Sequence, residues 1–412
     1  MIIIGAGASG LLCAAMAAQG GLSVQLVERM ERSGSKLRIT GKGRCNLTNN
    51  CTPEEFFAAV RTNARFLYGA YSKFSAQDTM ALFESLGVPL KTERGNRVFP
   101  ASDRAQEIVE ALVQYAARAG VQFCLQTPVR SLWLEEGALR GIVTAAGQLP
   151  AKQVVVATGG KSYPKTGSRG DGYYFAKQAG HTLLPPRGSL VPVVTREDWC
   201  KEAMGLSLRN VTLTLRKTGK NKPVFSEMGE MLFAHFGISG PLVLSASAHM
   251  AEALSNYRLE IDLKPALTPQ QLDARILRDF AEYANRDFAN ALEALLPRTL
   301  IPVIVRQSGI PPGTKVHQVT KAQRGRLCEL LKALPLTPVA LRPVEEAVVT
   351  AGGVKTAEID PRTMQSKKVP GLYFIGEVLD LDAYTGGFNL QIAFTTAAAC
   401  ASALVAAQNS HV

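Results

Sequence analysis

The chain has 412 residues, 46% of them apolar and 19% charged, and carries 46 Lys+Arg against 34 Asp+Glu for a net charge of +12 and a pI near 9.4. That length predicts two or three domains with sizeable cores, and the composition is globular. The basic excess fits polyanionic partners, nucleic acid the commonest of them, and equally a surface that is simply basic and soluble.

Residues 2–4 read as a short apolar strand, 10–19 as an Ala/Leu-rich helix and 23–27 as a second strand closing at Glu28, a compact βαβ unit. The Gly-, Arg- and Lys-rich stretch 32–50 is long for a structureless connection, which points to function. Helical patterns recur at 53–60, 76–86 and 103–119. Alternating apolar and polar residues over 129–148 predict an antiparallel meander leading into an apolar strand at 154–157. The pattern changes around Pro185, Pro186 and Pro192: 193–263 reads mostly as strands, with a helical stretch at 242–254, and 268–341 reads as helices. Strands resume at 346–350 and 372–375, and an Ala-rich helix ends the chain. Residues 1–190 plus 346–412 are thus expected to form one discontinuous nucleotide-binding domain, interrupted by a β-rich subdomain at 191–265 and a helical subdomain at 266–345.

The longest apolar run, 390–407, includes Gln391, Thr395, Thr396 and Ser402, which suits a buried helix better than a membrane span. The first strand follows no basic segment or cleavage site, so a cytoplasmic location is expected. Seven scattered cysteines (Cys13, Cys45, Cys51, Cys124, Cys200, Cys328 and Cys400) include no CxxC pair, which fits a reducing compartment and argues against a structural metal.

The chemistry begins at Gly5-x-Gly7-x-x-Gly10, between strand and helix. Gly5 permits the tight turn, Gly7 lets backbone approach a pyrophosphate, Gly10 allows close helix–strand packing, and the helix N-terminus supplies a positive dipole end. Ala8 and Ser9 lie inside the motif. Glu28, at the end of the second strand, can accept hydrogen bonds from a ribose diol, with Arg29 beside it. This pattern alone does not choose between FAD and NAD. No second GxGxxG appears, so a nicotinamide reductant, NADH or NADPH, is expected to dock transiently. Near the C-terminus Gly386 and Gly387 allow a flat cofactor ring close to the backbone, and Asn389, Leu390 and Gln391 open the last helix, whose free amides can meet a ring carbonyl oxygen.

Residues 154–160, ending Ala157-Thr158-Gly159-Gly160, resemble the Ala-Thr-Gly strand end of FAD-containing two-dinucleotide-binding proteins, and 372–377, ending Gly376-Glu377, resembles their later Gly-Asp motif with Glu in place of Asp. The resemblance becomes specific at residues 36–49 (Lys-Leu-Arg-Ile-Thr-Gly-Lys-Gly-Arg-Cys-Asn-Leu-Thr-Asn), 233–241, 350–354 and 371–377. Together these are similar to the bacterial BaiN-like or aminoacetone-oxidase-like FAD-dependent oxidoreductases, over nearly the whole chain. Many relatives have Thr where this chain has Ala234, before His235. The resemblance implies an α/β, two-dinucleotide-binding-like (glutathione-reductase-like) FAD domain with inserted subdomains. It implies Lys36, Gly43, Arg44, Cys45 and Val129 as further cofactor contacts. The activities it implies range over small-molecule oxidation, bile-acid reduction and reduction of a uridine to dihydrouridine in large-subunit ribosomal RNA.

Basic residues concentrate in the insert: Arg209, Arg216, Lys217, Lys220 and Lys222 occur with no acid between them, and Lys315, Lys321, Arg324, Arg326 and Lys332 form a second stretch. Phosphate contacts require such cations, and small neutral substrates would not call for either group. For the RNA reaction, Cys45 is a candidate proton donor to C5 of uracil and His235 a rival. Arg44 and Asn46 would orient uracil carbonyls or flavin oxygens, and Lys42 would contact phosphate. His181, His249, His317 and His411 sit in no recognisable constellation and read as structural. A small-molecule flavin oxidase or reductase, and a flavin-containing RNA assembly factor without turnover, remain the alternatives.

Overall fold

The structure is a computed structural model that describes residues 1–250 and 252–409; His411 lies outside the described residues. The chain divides into two compact units, one of residues 1–189 and 344–412, the other of residues 190–343.

In the first unit, strands β1 (Ile2–Ile4), β2 (Gln25–Val27), β3 (Gln122–Cys124), β4 (Val154–Val156) and β5 (Leu372–Phe374) form a parallel sheet in the order β5-β4-β1-β2-β3. Strands β1 and β4 are unbroken aliphatic runs, as befits parallel strands covered on both faces, and Ile2, Ile3 and Ile4 are 2%, 0% and 5% exposed. A three-stranded meander, Val129–Glu135, Ala138–Thr144 and Gly147–Pro150, connects β3 to β4.

Two helices, α1 (Ala8–Gln19) and α2 (Phe388–Asn409), lie side by side and run the same way. Near their starts a Cβ on Gly376 would stand 2.7 Å from Ser9 Oγ and 3.9 Å from Ala393 Cβ; at their far ends Gly20 approaches Val405. Alanine along both helices allows this close packing. Residues 388–408 are apolar and long enough to cross a membrane, with a mean hydropathy of 1.7. Their hydroxyls are nonetheless built into the interior: Thr395 and Thr396 are wholly buried and donate to the carbonyls of Phe74 and Ile392, both at 2.8 Å.

The stretch 32–50 is more ordered than its composition predicts. It contains a short helix, Ser35–Ile39, and the strand Thr48–Asn49, which joins Leu90–Glu93 and Arg97–Pro100 in a small antiparallel sheet.

The second unit is a seven-stranded antiparallel sheet with helices. One of its edge strands, Leu334–Leu336, pairs with Tyr257–Asp262, while Pro338–Leu341 pairs with Val193–Thr195 at the other edge. A single stretch bent at Thr337 therefore closes the sheet on itself, and the Glu197 carboxylate accepts the Thr337 amide at the bend, 3.0 Å away. This corrects two expectations. Residues 334–341 are strands rather than the end of a helical region; three- and four-residue strands punctuated by Pro335 and Pro338 are too short to show a period of two. Nor does a boundary fall near 265, because Ile276, Leu327 and Leu331 from the helices share one core with Leu213, Leu259 and Ile261 from the sheet.

Candidate active site

The glycines of the first motif meet different demands. A Cβ on Gly5 (φ +104°) would lie 2.6 Å from the Ala157 carbonyl oxygen, and one on Gly10 would lie 1.8 Å from the Gly5 carbonyl oxygen. Both obstacles are backbone, so no rotamer change relieves them. A Cβ on Gly7 would meet nothing within 4 Å. Gly7 thus opens onto free space at the start of α1, whose first turn holds no acidic residue. The amides of Ala8, Ser9 and Gly10 have no intrahelical partner, and together with the dipole end they favour an anion there.

From this cradle a chain of contacts runs both ways. On one side Glu28 accepts from the amides of Ala6 at 2.8 Å and Met30 at 2.9 Å. A carboxylate has about four acceptor positions, so capacity remains for a ribose diol. Arg29 pairs with Asp171 instead of standing free, and Val129 begins the meander opposite Thr144. On the other side Ser9 is buried against Gly376 (φ +72°), and Glu377 follows.

The extra methylene of Glu377 has a use. Its Oε2 accepts from Lys36 Nζ at 2.7 Å, and its Oε1 accepts from the Thr350 amide at 2.7 Å and from Ser162 Oγ at 3.2 Å. Lys36 also donates to Ser162 Oγ at 2.6 Å. This is possible only because Gly160 has no side chain: a Cβ there would stand 2.4 Å from Thr350 Oγ1 and 3.1 Å from Glu377 Oε1. Gly159 (φ +69°) turns the chain in front of it. Thr158 points elsewhere, its buried hydroxyl facing Gly172 of the helix Asp171–Gln178.

At the far end, Gly387 (φ +97°) packs on the Thr48 backbone, where a Cβ would be 2.3 Å from the Thr48 carbonyl oxygen. Asn49 Nδ2 donates to the Gly386 carbonyl at 2.9 Å. With its amide oriented by its neighbours, Asn46 accepts from the Gly387 amide at 3.0 Å and donates to the carbonyls of Thr48 and Val98. Asn389 holds the preceding loop, bonding Ala383 N and O at 2.9 and 2.8 Å. Gln391 is wholly buried, bonded to Thr48 Oγ1 at 2.7 Å and Thr395 Oγ1 at 3.1 Å. The side chains of Asn46, Asn389 and Gln391 therefore brace the glycine turn from behind. Leu390, in the first turn of α2, keeps partial exposure.

The loop 40–45 is tightly wound. Gly41, Lys42, Gly43 and Cys45 have φ of 61°, 59°, 85° and 59°. A left-handed conformation at the two non-glycine positions costs on the order of 1 kcal/mol each. The Thr40 carbonyl accepts from the amides of Gly43 at 3.2 Å and Cys45 at 2.9 Å, and the Gly43 carbonyl accepts from Ala105 at 2.7 Å. Arg44 donates to Glu93 and Asp103 and lies 4.2 Å over the Phe99 ring, so it clamps the loop rather than facing a ligand. Cys45 has no exposed surface, and burial pushes its thiol up to about 12. Both observations count against it as a proton donor. Lys42 is exposed, with no ion pair among the described residues.

In the second unit the basic stretches are less free than they read. Arg216 pairs with Glu260, Lys217 with Glu252, Lys315 with Asp287, Arg324 with Asp273 and Lys332 with Asp262. Arg209, Lys220, Lys222, Lys321 and Arg326 have no ion pair among the described residues. His235 lies between the strands Pro223–Ala234 and Gly237–Ser239, edge-on to Phe236 at 5.0 Å. Among the described residues no group of three or more His, Cys, Asp or Glu side chains is placed to hold a metal.

The HI0933-like protein Rossmann domain family matches residues 1–403. The chain belongs to that family. It is 34% identical over 416 residues to a ribosomal RNA dihydrouridine synthase of Escherichia coli (strain K12), covering 99% of this chain and 98% of that protein. It is 32% identical over 400 residues to a 3-dehydro-bile acid delta(4,6)-reductase of Clostridium scindens, covering 96% of each. Among solved structures, a 3-ketosteroid-delta4-(5alpha)-dehydrogenase of Rhodococcus jostii RHA1 shares the fold at a TM-score of 0.53 and 15% identity, over 98% of this chain and 96% of that one. The HI0933-like chain is thus an FAD-dependent oxidoreductase by family, with the parallel sheet, glycine cradle and paired helix starts that such a fold needs. Of the residues the sequence pointed to, Gly5, Gly7, Gly10 and Glu28 cluster at the start of α1, Gly376 follows against Ser9 with Glu377 and Lys36 paired beyond it, and Gly386 and Gly387 pack on Asn49 and Thr48. Ser162, Thr350 and Asn49 were not anticipated as site residues; Thr350 stood in a segment used only for family likeness.

Proposed function

We propose that this protein binds FAD along the path from Glu28 to Gly387 and reduces a uridine of large-subunit ribosomal RNA to dihydrouridine, taking electrons from NADH or NADPH in the cytoplasm. The near-full-length match to a ribosomal RNA dihydrouridine synthase carries the reading, and the unpaired cations of the second unit support a polyanionic substrate. The cofactor fits what the residues present: an open cradle at Gly7, unbonded amides at the start of α1 and spare acceptor capacity on Glu28. The amides of Ala8, Ser9 and Gly10 would take the pyrophosphate and Glu28 the ribose. Lys36, fixed by Glu377 and Ser162, would hold its ammonium toward the middle of the cofactor, and the amides following Gly387 would meet a ring carbonyl oxygen.

The chemistry supplied by FAD bound there is transfer of a hydride to a carbon–carbon double bond conjugated to a carbonyl. The loop 40–45 and the braced turn at Gly386–Gly387 would form the wall against which the acceptor is held. Arg209, Lys220, Lys222, Lys321, Arg326 and Lys42 would contact RNA phosphates. Nucleoside mass spectrometry of ribosomal RNA tests the reading: dihydrouridine present with the protein, absent without it and restored by re-expression is expected, and an unchanged content sinks it. A second reading, reduction of a small conjugated ketone, is favoured by the bile-acid reductase relative; steady turnover of a steroid enone without RNA would select it.

A further inference from the structure

Reducing a conjugated double bond needs a proton as well as a hydride, and several acids near the site are not free to give one. Cys45 has no exposed surface. Both oxygens of Glu377 are engaged, by Lys36 on one side and by Thr350 and Ser162 on the other. Asp382 is 2% exposed and accepts from the hydroxyls of Thr62 and Ser189.

Asp380 is different. It stands between Glu377 and the Gly386–Gly387 turn, on the segment joining two stretches of the cofactor path, and it is partly exposed. Its amide donates to the Val354 carbonyl at 3.0 Å. Asn63, held at φ 54°, donates through Nδ2 to the Asp380 carboxylate at 2.9 Å and to the Asp380 carbonyl at 2.8 Å. A carboxyl fixed at its backbone by two elements and oriented by a strained asparagine is a positioned group, not a solvated one. The charged and titratable groups facing it are Asp382, Arg187 and the buried phenol of Tyr173; Arg61, stacked over Tyr384 at 5.2 Å, lies on the neighbouring segment.

We infer that Asp380 is the proton donor of the reduction. Its carboxyl O–H bond breaks and the proton joins the carbon next to the carbonyl, C5 in a uracil, as hydride from reduced flavin forms the new bond at C6. The C5=C6 double bond becomes single, the flavin returns to its oxidised form, and Asp380 is left as a carboxylate that solvent reprotonates. Burial raises the Asp380 pKa above the usual carboxylate value; the Asn63 hydrogen bond opposes this, Asp382 reinforces it, and the Gly352 amide and Arg187 oppose it. The inference rests on the reading that this chain reduces a conjugated double bond.

The test uses FAD-loaded full-length protein. Asp380→Asn should keep FAD stoichiometry and the flavin spectrum and still be reduced by NADH or NADPH, while reoxidation by ribosomal RNA slows by about 100-fold or more. Independently of turnover, one infrared carbonyl component of a protonated carboxylic acid should titrate in wild type at a pH above the usual carboxylate range, and that component should be missing in Asp380→Asn. Asn63→Ala, which removes a hydrogen bond to the charged form, should move that titration and the alkaline limb of the rate profile to higher pH; this variant answers even if Asp380→Asn does not fold. Wild-type turnover with unimpaired Asp380→Asn, or a titration that Asn63→Ala leaves in place, overturns the inference. A wild-type flavin that neither RNA nor a steroid enone reoxidises overturns the functional reading, while the infrared titration still reports on Asp380.

Discussion

The start of α1 and the basic run 209–222 of the second unit are both short stretches of sequence, and the structure treats them differently. At Gly5–Gly10 each residue's demand is set by backbone a few ångströms away, so spacing alone specifies the geometry. Along 209–222 the run of cations with no intervening acid suggested a free positive face, yet Arg216 and Lys217 are neutralised by Glu260 and Glu252, which arrive from another part of the chain. Local sterics are written locally, whereas the net charge of a surface is decided by tertiary neighbours.

The largest expected effect lies in the glycines and would break the first half of that contrast. Gly10→Ala forces a methyl into the Gly5 carbonyl and should destabilise the fold by about 1–3 kcal/mol or more, read as a lowered thermal midpoint with FAD lost. Gly7→Ala should fold normally, since nothing crowds that position, yet bind FAD at least about tenfold more weakly because the methyl enters the cradle. Equal stability losses in both variants would show that the cradle at Gly7 is not what separates them.

A smaller effect is expected at Glu377→Gln, which leaves the Lys36 ammonium without its carboxylate. FAD affinity by fluorescence titration should fall by roughly tenfold, about 1.4 kcal/mol, with the fold intact; Glu377→Asp should also fall, because the shorter acid cannot reach Lys36 and Thr350 together. No change in either variant would mean that the Lys36–Glu377 pair is scaffolding.

The charge half of the contrast is sharpened by the run 209–222. Lys220→Ala and Lys222→Ala should each reduce the salt slope of RNA binding by about 1. Arg216→Ala and Lys217→Ala should change it by clearly less, since each cation already spends its charge on an acid. Equal changes at all four would mean that the ion pairs open on binding and that the sequence reading of one continuous basic run was the better one.

What could be read in advance follows the same division. The βαβ opening, the final helix and the glycine positions were legible because strand burial, helix periodicity and backbone crowding act over a few residues. The closure of the second unit by 334–341 was not, because its strands are too short to carry a period and their partners are 73 or more residues away in sequence. The sequence presents Arg44 as a ligand-facing cation, but its partners Glu93 and Asp103 lie 49 and 59 residues on. Asp380 carried no signal of its own, since what distinguishes it is Asn63, 317 residues earlier.

A pH effect shows that long-range pairing escapes the sequence even in the legible unit. His181, 5% exposed, bonds Glu358 through Nδ1 at 3.0 Å and Ser366 Oγ through Nε2 at 2.7 Å. Burial lowers its pKa, against the opposing pull of Glu358. The unfolded chain then takes up the imidazole proton first, near pH 6.5, so the stability His181 contributes is complete above about that pH and is lost as pH falls below it, by at most about 1.4 kcal/mol per pH unit. The thermal midpoint of wild type should therefore drop between about pH 7 and 5, and His181→Gln, with no group to titrate, should flatten that part of the profile. A wild-type midpoint that rises on acidification through this range would mean that Glu358 outweighs burial and that His181 is charged in the folded protein.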